Sequence, residues 1–144
     1  MKTQTEIKKL RPALALIAIF SLCAAASAQA GGLVEERGMF GCATGQVARI
    51  NAVNLGGPDT RPIQVEMMFL DGTGAVVGRD MQTIAPGQAV FFDFLFEGRE
   101  ENRIELRAVV TALGGPDTKN LKTTVEVFDA ETGRNTIFFP TETI

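Results

Sequence analysis

Residues 63–74 read IQVEMMFLDGTG, an extended pattern that runs directly into a turn signal. Ile63, Val65, Met67 and Phe69 all fall on one side of an extended chain, and this period of two is typical of a β-strand with one buried face. The Asp-Gly-Thr-Gly that follows is rich in residues that favour turns. The segment therefore predicts a strand followed by a hairpin turn.

The same pattern recurs along the chain, and no segment has the periodicity of a useful helix. The predicted strands are residues 33–41, 46–54, 62–70, 75–81, 89–96, 103–112, 121–129 and 134–139. Seven or eight short strands in about 110 residues predict an all-β fold, a single β-sandwich of the immunoglobulin or fibronectin III kind. A closed barrel is the alternative.

The first thirty residues have a different character from the rest. Four basic residues precede the apolar run 13–26, and Ala-Ser-Ala-Gln-Ala follows at 26–30. This order is that of a secretory signal peptide, with cleavage after Ala28 or Ala30, and the run is shorter than the roughly 20 residues that span a bilayer. We therefore expect a signal peptide at 1–30 and one domain at 31–144. The expected location is extracytoplasmic, periplasmic or secreted, with no membrane span after cleavage.

Composition excludes several classes of chemistry. The chain has no His, which removes Ser-His-Asp and Cys-His catalysis and His-based zinc sites. After cleavage, 10 basic residues face 16 acidic ones, and the arginines are scattered among acids, so we expect no nucleic-acid partner. We expect no cofactor and no enzymatic activity. Paired carboxylates are the only catalytic chemistry left, and an acid-pair hydrolase is the least favoured function.

One short repeat marks the candidate site. LGGPDTR at 55–61 recurs as LGGPDTK at 113–119, and each copy joins two predicted strands. Four alternating strands lie between the copies, so both loops should emerge at the same end of the sandwich. The candidate binding residues are Asp59, Thr60, Arg61, Asp117, Thr118 and Lys119. Asp59 and Asp117 are also a weak Ca²⁺ candidate. The alternative is that Gly-Gly-Pro-Asp only makes a tight loop.

Two further features have more than one interpretation. Residues 89–96 form the most apolar strand, which favours a central core strand; the alternative is an exposed stripe with Asp93 as a gatekeeper against edge association. Cys42 is the only cysteine that survives cleavage, so no disulfide within the chain is expected. Its thiol could be buried, reactive or paired with a second chain.

Four segments carry a resemblance to a known family: GQVARINAVN at 45–54, MFLDGTG at 68–74, IAPGQ at 84–88 and VEVFDAETGR at 125–134. Together they resemble small secreted bacterial proteins with a single immunoglobulin-like or fibronectin III-like domain and no assigned activity, over about residues 45–138. Relatives of this kind often carry a cysteine in each of the two loops that here read Gly-Gly-Pro-Asp-Thr. This chain has none there, so the loop-to-loop disulfide that the resemblance implies does not carry over.

The sequence as a whole favours an exported, non-enzymatic binding module. Its partner would be a protein or a component of the cell envelope, held by the loops at one end. The alternative is a structural or adhesin-like subunit that forms homo-oligomers through its strand edges.

Overall fold

The computed structural model describes residues 34–98 and 102–140. The predicted signal peptide at 1–30 and the start of the predicted domain at 31–33 lie outside the described residues. Within the described ranges the chain is all-β, with one short 3₁₀ helix at Pro116–Asn120. The strands are β1 Val34–Glu36, β2 Phe40–Ala43, β3 Gln46–Asn54, β4 Ile63–Asp71, β5 Val76–Ile84, β6 Ala89–Leu95, β7 Arg103–Leu113, β8 Leu121–Asp129 and β9 Asn135–Phe139.

The strands form two antiparallel sheets. In the first sheet, β4 lies between β5 and β7, and β1 and β2 both pair with the other side of β7. The second sheet has the order β6-β3-β8-β9. The described strands thus pair as two separate sheets, which is the arrangement of a β-sandwich and not that of a closed barrel.

The core lies between the inner faces of the two sheets. Phe69 of β4 is fully buried, and its ring centroid lies 5.6 Å from that of Phe92 and 5.8 Å from that of Phe94, both on β6. Phe40 of β2 meets Phe69 edge-on at 6.4 Å. The other large buried side chains include Ile50, Met67, Ile84, Leu106, Leu121, Val125 and Val127. These contacts bury the period-two residues that define the strands.

The first predicted strand, 33–41, is divided into β1 and β2. Glu36 pairs with Val109 and Phe40 with Leu106, so the three residues 37–39 between β1 and β2 lie opposite only two residues of β7, 107 and 108. An extra residue reverses which side chains face inward. Because of it, Phe40 lies in the core instead of on the surface.

The expectation that residues 89–96 form a central strand is wrong. Among the described strands, β6 pairs only with β3 and is therefore an edge strand of the second sheet. Phe92 and Phe94 face the core, whereas Phe91 is 55% exposed and Leu95 47% exposed. Alternation correctly assigned the two faces, but the number of neighbouring strands depends on pairing with distant residues.

Candidate functional site

The two repeated loops lie side by side at one end of the sandwich. Asn54, the last residue of β3, is opposite Leu121, the first residue of β8, and Gln64 of β4 is opposite Leu113 of β7. Both loops therefore leave the same end, as the strand count predicted. We call this end the tip; it comprises residues 55–62 and 114–120, together with the β5–β6 turn at 85–88.

Two hydrogen bonds connect the loops directly. The backbone N–H of Arg61 donates to Oδ2 of Asp117 at 3.3 Å, and the N–H of Leu55 donates to the carbonyl oxygen of Asn120 at 2.9 Å. Asp71 and Asp129 end nine-residue strands that begin at the tip, so they lie about 30 Å away at the other end. The carboxylates of Asp59 and Asp117 therefore belong to one surface, as predicted.

The two copies share one local contact but differ in backbone conformation. The Thr60 hydroxyl donates to the carbonyl oxygen of Gly57 at 2.7 Å, and the Thr118 hydroxyl donates to that of Gly115 at 3.3 Å. In the second copy Gly115 has φ = 97° and the 3₁₀ helix follows. In the first copy Gly56 is needed for a different reason, since a Cβ there would overlap the Thr60 hydroxyl.

The candidate binding residues project from this surface to different extents. Asp59, Arg61 and Lys119 are exposed, whereas Thr60, Asp117 and Thr118 are half-buried. The described residues contain no group of three His, Cys, Asp or Glu side chains that could hold a metal ion. One of the two tip carboxylates, that of Asp117, is also occupied by the Arg61 backbone. The structure thus places Asp59 and Asp117 at one end of the sandwich, and among the described residues no third acidic, Cys or His side chain joins them as a calcium ligand.

Sequence reasoning missed the residue that supports the tip from below. Asn54 is fully buried, and its side-chain amide donates to the carbonyl oxygen of Ile84 at 3.1 Å. Its Oδ1 accepts the N–H of Gly56 at 2.9 Å. The sequence signal was its position directly before the first repeat, where a polar residue ends an apolar strand.

The outer face of the second sheet continues from the tip as cross-strand rows. From the tip outward, the first three rows are Ala89-Val53-Lys122, Phe91-Asn51-Thr124 and Asp93-Arg49-Glu126-Phe138. The first two rows border a depression of about 180 Å³, lined by Asn51, Ala52, Val53, Ala89, Val90, Phe91, Lys122 and Thr124. An apolar depression with polar groups on one side therefore adjoins the tip.

Arg49 occupies the centre of this face. Its Nε and Nη2 donate to the two carboxylate oxygens of Asp93 at 2.6 and 2.7 Å. The guanidinium carbon lies 4.3 Å from the ring centroid of Phe91 and 4.9 Å from that of Phe128. The hydrogen bond to Asp93 is the main reason that the pKa of Arg49 is raised above its ordinary value, and the negative charges of Asp93 and Glu126 add to it, whereas burial opposes it. Both carboxylate oxygens of Asp93 on β6 are therefore bound by Arg49 of the neighbouring strand β3 in the same sheet.

Asp71 and Asp129 lie in the β4–β5 and β8–β9 hairpin turns, at the opposite end from the tip. Asp71 Oδ1 accepts hydrogen bonds from Thr73 and Ala75, and Asp129 Oδ1 accepts them from Glu131 and Thr132. These bonds lower the pKa of both carboxylates and hold each aspartate within its hairpin turn.

Cys42 is fully buried, and burial raises the pKa of its thiol to about 11. This position favours the buried alternative over a reactive thiol or a bridge to a second chain, because either would require β2 to open.

Comparisons with protein-family models, with curated proteins and with solved structures find no match to this chain. The described ranges contain no helix with the length and apolar character that crossing a membrane requires. The geometry of the tip and of the adjoining sheet face is therefore the basis for assigning a function.

Proposed function

We propose that the protein is an exported, non-enzymatic β-sandwich module that binds a protein or cell-surface partner through the tip. The observation that carries the proposal is the pairing of two copies of one loop sequence at one end, joined by the Arg61–Asp117 and Leu55–Asn120 hydrogen bonds. Binding loops on a rigid scaffold are a common arrangement in β-sandwich proteins.

The tip has the rigidity that such a role requires. The backbone N–H of Asn54 donates to the carbonyl oxygen of Gln88 at 2.9 Å, and its carbonyl oxygen accepts the N–H of Gly87 at 2.8 Å. The β5–β6 turn is therefore bound to the base of the first repeated loop. A surface held in one conformation loses little conformational entropy when a partner binds.

Site-specific photo-cross-linking in the exporting cell tests this proposal. A photoreactive residue replaces Asp59 or Lys119 at the tip, and Glu131 at the opposite end serves as the control because it is also exposed. We expect discrete cross-linked products from the two tip positions and none from position 131. Equal products from all three positions, or products from position 131 alone, would overturn the proposal.

A second candidate is the structural or adhesin-like subunit that associates through strand edges. The observation that favours it is that β6 is an edge strand with Phe91 and Leu95 exposed. Against it, Gln82 of β5 donates to the carbonyl oxygen of Phe91 at 3.1 Å and so occupies one acceptor of that edge. Size-exclusion chromatography over a concentration series separates the two, because only edge association predicts growth of large species.

We also infer that the domain is immunoglobulin-like or fibronectin III-like. Its size, short strands and two antiparallel sheets support this assignment. In immunoglobulin constant domains the first strand shares a sheet with the second. Here β1 and β2, which together correspond to the first predicted strand, pair with β7 and lie in a different sheet from the next strand, β3. β8 pairs with β3 and therefore also differs from that arrangement, in which the last strand lies in the other sheet from the second.

A further inference from the structure

We propose that the depression beside the tip binds an acidic peptide segment of the partner, which places one apolar side chain against Phe91 and its carboxylates on Lys122 and the tip cations. This inference rests on the proposed function and names the chemistry of the partner. It follows from the distribution of charge, the size of the depression and the polar groups around it.

Among the residues that the structure describes, the cations without an ion pair are concentrated at one end. The described residues include nine Lys and Arg side chains, and five of the arginines form ion pairs: Arg37, Arg49, Arg79, Arg103 and Arg107. The four cations without an ion pair in the described ranges are Arg61, Lys119, Lys122 and Arg134. Three of these lie in the tip or in the first row of the adjoining face, and Arg134 lies at the opposite end.

The carboxylates at this end do not cancel that charge. Asp59 and Asp117 accompany the three cations, whereas the rest of the described chain has six cations and eleven carboxylates. Over residues 34–98 and 102–140, the tip region is therefore the positive end of a chain with net negative charge. A local field of this sign attracts an anionic partner and orients its approach.

The depression has the size and lining for a side chain of a peptide. Its volume of about 180 Å³ lies below the roughly 300–1,000 Å³ of pockets that hold drug-sized ligands. Its apolar wall includes Val53, Ala89 and Phe91, the last of which is more than half exposed. Burying one aliphatic or aromatic side chain here removes apolar surface of both molecules from water.

The polar groups around the depression set the orientation of the peptide. Thr124 accepts a hydrogen bond from the Asn51 amide at 3.2 Å, which leaves its own O–H available to a carboxylate next to Lys122. On the far side, Glu126 accepts from the amides of Asn51 and Asn135. Because Glu126 would repel a second anion, the carboxylates of the peptide must point toward the tip.

The test is an NMR titration of the isotope-labelled exported chain with three blocked tripeptides. The probes are acetyl-Glu-Phe-Glu-amide, acetyl-Gln-Phe-Gln-amide, which lacks charge, and acetyl-Glu-Ala-Glu-amide, which lacks the apolar side chain. We expect the first to shift the amide signals of residues 51–53, 89–91 and 122–124, and to bind at least about threefold more tightly than either control. Its affinity should fall as salt is raised. Equal affinities of all three peptides, or shifts confined to other surfaces, would overturn the inference.

Matched variants test the two proposed contacts, that of a peptide carboxylate with Lys122 and that of the apolar side chain with Phe91. Lys122→Gln and Phe91→Ser should each weaken binding of the first peptide by at least about threefold. Arg134→Gln is the control for an unpaired cation elsewhere, and Phe138→Ser is the control for a phenylalanine of equal exposure, 56% against 55%. Neither control should change the affinity, and all four variants must retain the dispersed spectrum of the folded chain. A control that weakens binding as much as its partner variant would contradict the assignment.

Three outcomes identify which proposal has failed. If the protein self-associates with rising concentration and shifts the same residues without peptide, a second copy occupies the face and the inference is wrong. If the tip cross-links to its partner but the peptide does not bind, the inference fails and the proposed function stands. If cross-links form from position 131 alone, the proposed function itself fails.

Discussion

The side-chain amide of Asn54 donates a hydrogen bond to the carbonyl oxygen of Ile84, joining the last residue of β3 in one sheet to the last residue of β5 in the other at 3.1 Å. Its Oδ1 accepts the N–H of Gly56, and its backbone bonds to the β5–β6 turn. One buried polar residue thus connects both sheets, a turn and the first repeated loop.

Replacing Asn54 should therefore destabilise the fold. In Asn54→Leu, the buried carbonyl of Ile84 and the half-buried N–H of Gly56 lose their partner, and leaving a buried group unsatisfied costs about 1–3 kcal/mol. We expect the free energy of unfolding in urea to fall by about 2–4 kcal/mol. Asn135→Ala is the control, because the Asn135 amide makes one exposed contact with Glu126 and its loss should cost less than about 0.5 kcal/mol. Equal losses in both variants would contradict the role of Asn54.

Burial of Cys42 predicts that its thiol is labelled slowly and that the stability of the fold depends on pH in a specific way. In the chain without its predicted signal peptide at pH 8, a thiol reagent should label Cys42 far more slowly in the folded state than in urea, since the pKa of the thiol is raised to about 11. The folded state then binds the proton more tightly than the unfolded state. The stabilisation that this proton gives the folded state is complete below pH 9.0, the ordinary pKa of a thiol, and is lost as the pH rises through about 11. In Cys42→Ala, the decrease in stability over this interval should be smaller. Rapid labelling of the folded chain, or parallel pH curves for the two proteins, would contradict burial.

Local alternation predicted much of the fold. β3 and β8 have the bounds that were predicted, 46–54 and 121–129, and the count of four strands between the repeats correctly placed both loops at the tip. Alternation could not show that β6 is an edge strand, because that depends on distant pairing. It also could not show the extra residue between β1 and β2, because that residue is extra only relative to β7.

The Arg49–Asp93 pair should contribute measurable coupling although it is on the surface. It is bidentate, lies directly across the β3–β6 pair and is covered by two aromatic rings. A double-mutant cycle with Arg49→Ala and Asp93→Ala should give about 0.5–1 kcal/mol of coupling, the upper part of the range for exposed pairs. The control cycle is Arg103 and Glu105, which form a single contact on one strand and are more exposed. Coupling no larger than in that control would contradict the importance of the geometry.

The candidate site was predictable only in part. The repeat identified the tip loops from sequence because two seven-residue segments that are identical at six positions are visible without a structure. Lys122 and Thr124 had no such signal, since their approach to Phe91 arises from the register of three strands. The sequence also gives no indication of which cations lack an ion pair, because the five pairs depend on side-chain positions in the folded chain.

Glu35 and Arg37 contact Thr123 of β8, and we call these contacts the seam. The seam tests how buried charge affects stability. Arg37 Nη2 donates to Glu35 Oε2 at 3.2 Å and to the carbonyl and hydroxyl oxygens of Thr123 at 3.3 Å, and the Thr123 hydroxyl donates to Glu35. The Arg37 and Glu35 side chains are 13% and 18% exposed, and Arg37 Nε is buried without a partner among the described residues. Burial of the pair therefore carries a desolvation cost, and one donor of Arg37 has no bond among the described residues that would offset it.

Removing one partner should consequently cost more than replacing both. Arg37→Met leaves the carboxylate of Glu35 without its cation, and we expect the free energy of unfolding to fall by about 2–4 kcal/mol, slightly less than for a fully buried pair. The double variant Glu35→Leu/Arg37→Met should be less destabilised than Arg37→Met, because it leaves no charged side chain without its partner. The neighbouring Glu36–Arg107 pair is the control, since its side chains are 53% and 39% exposed and Glu36→Gln should change stability by less than about 0.5 kcal/mol. Urea unfolding of the unmodified chain, of Glu35→Leu and of the three variants above measures these differences. A double variant as unstable as the sum of its single variants, Glu35→Leu included, would show that the charged pair itself stabilises the seam.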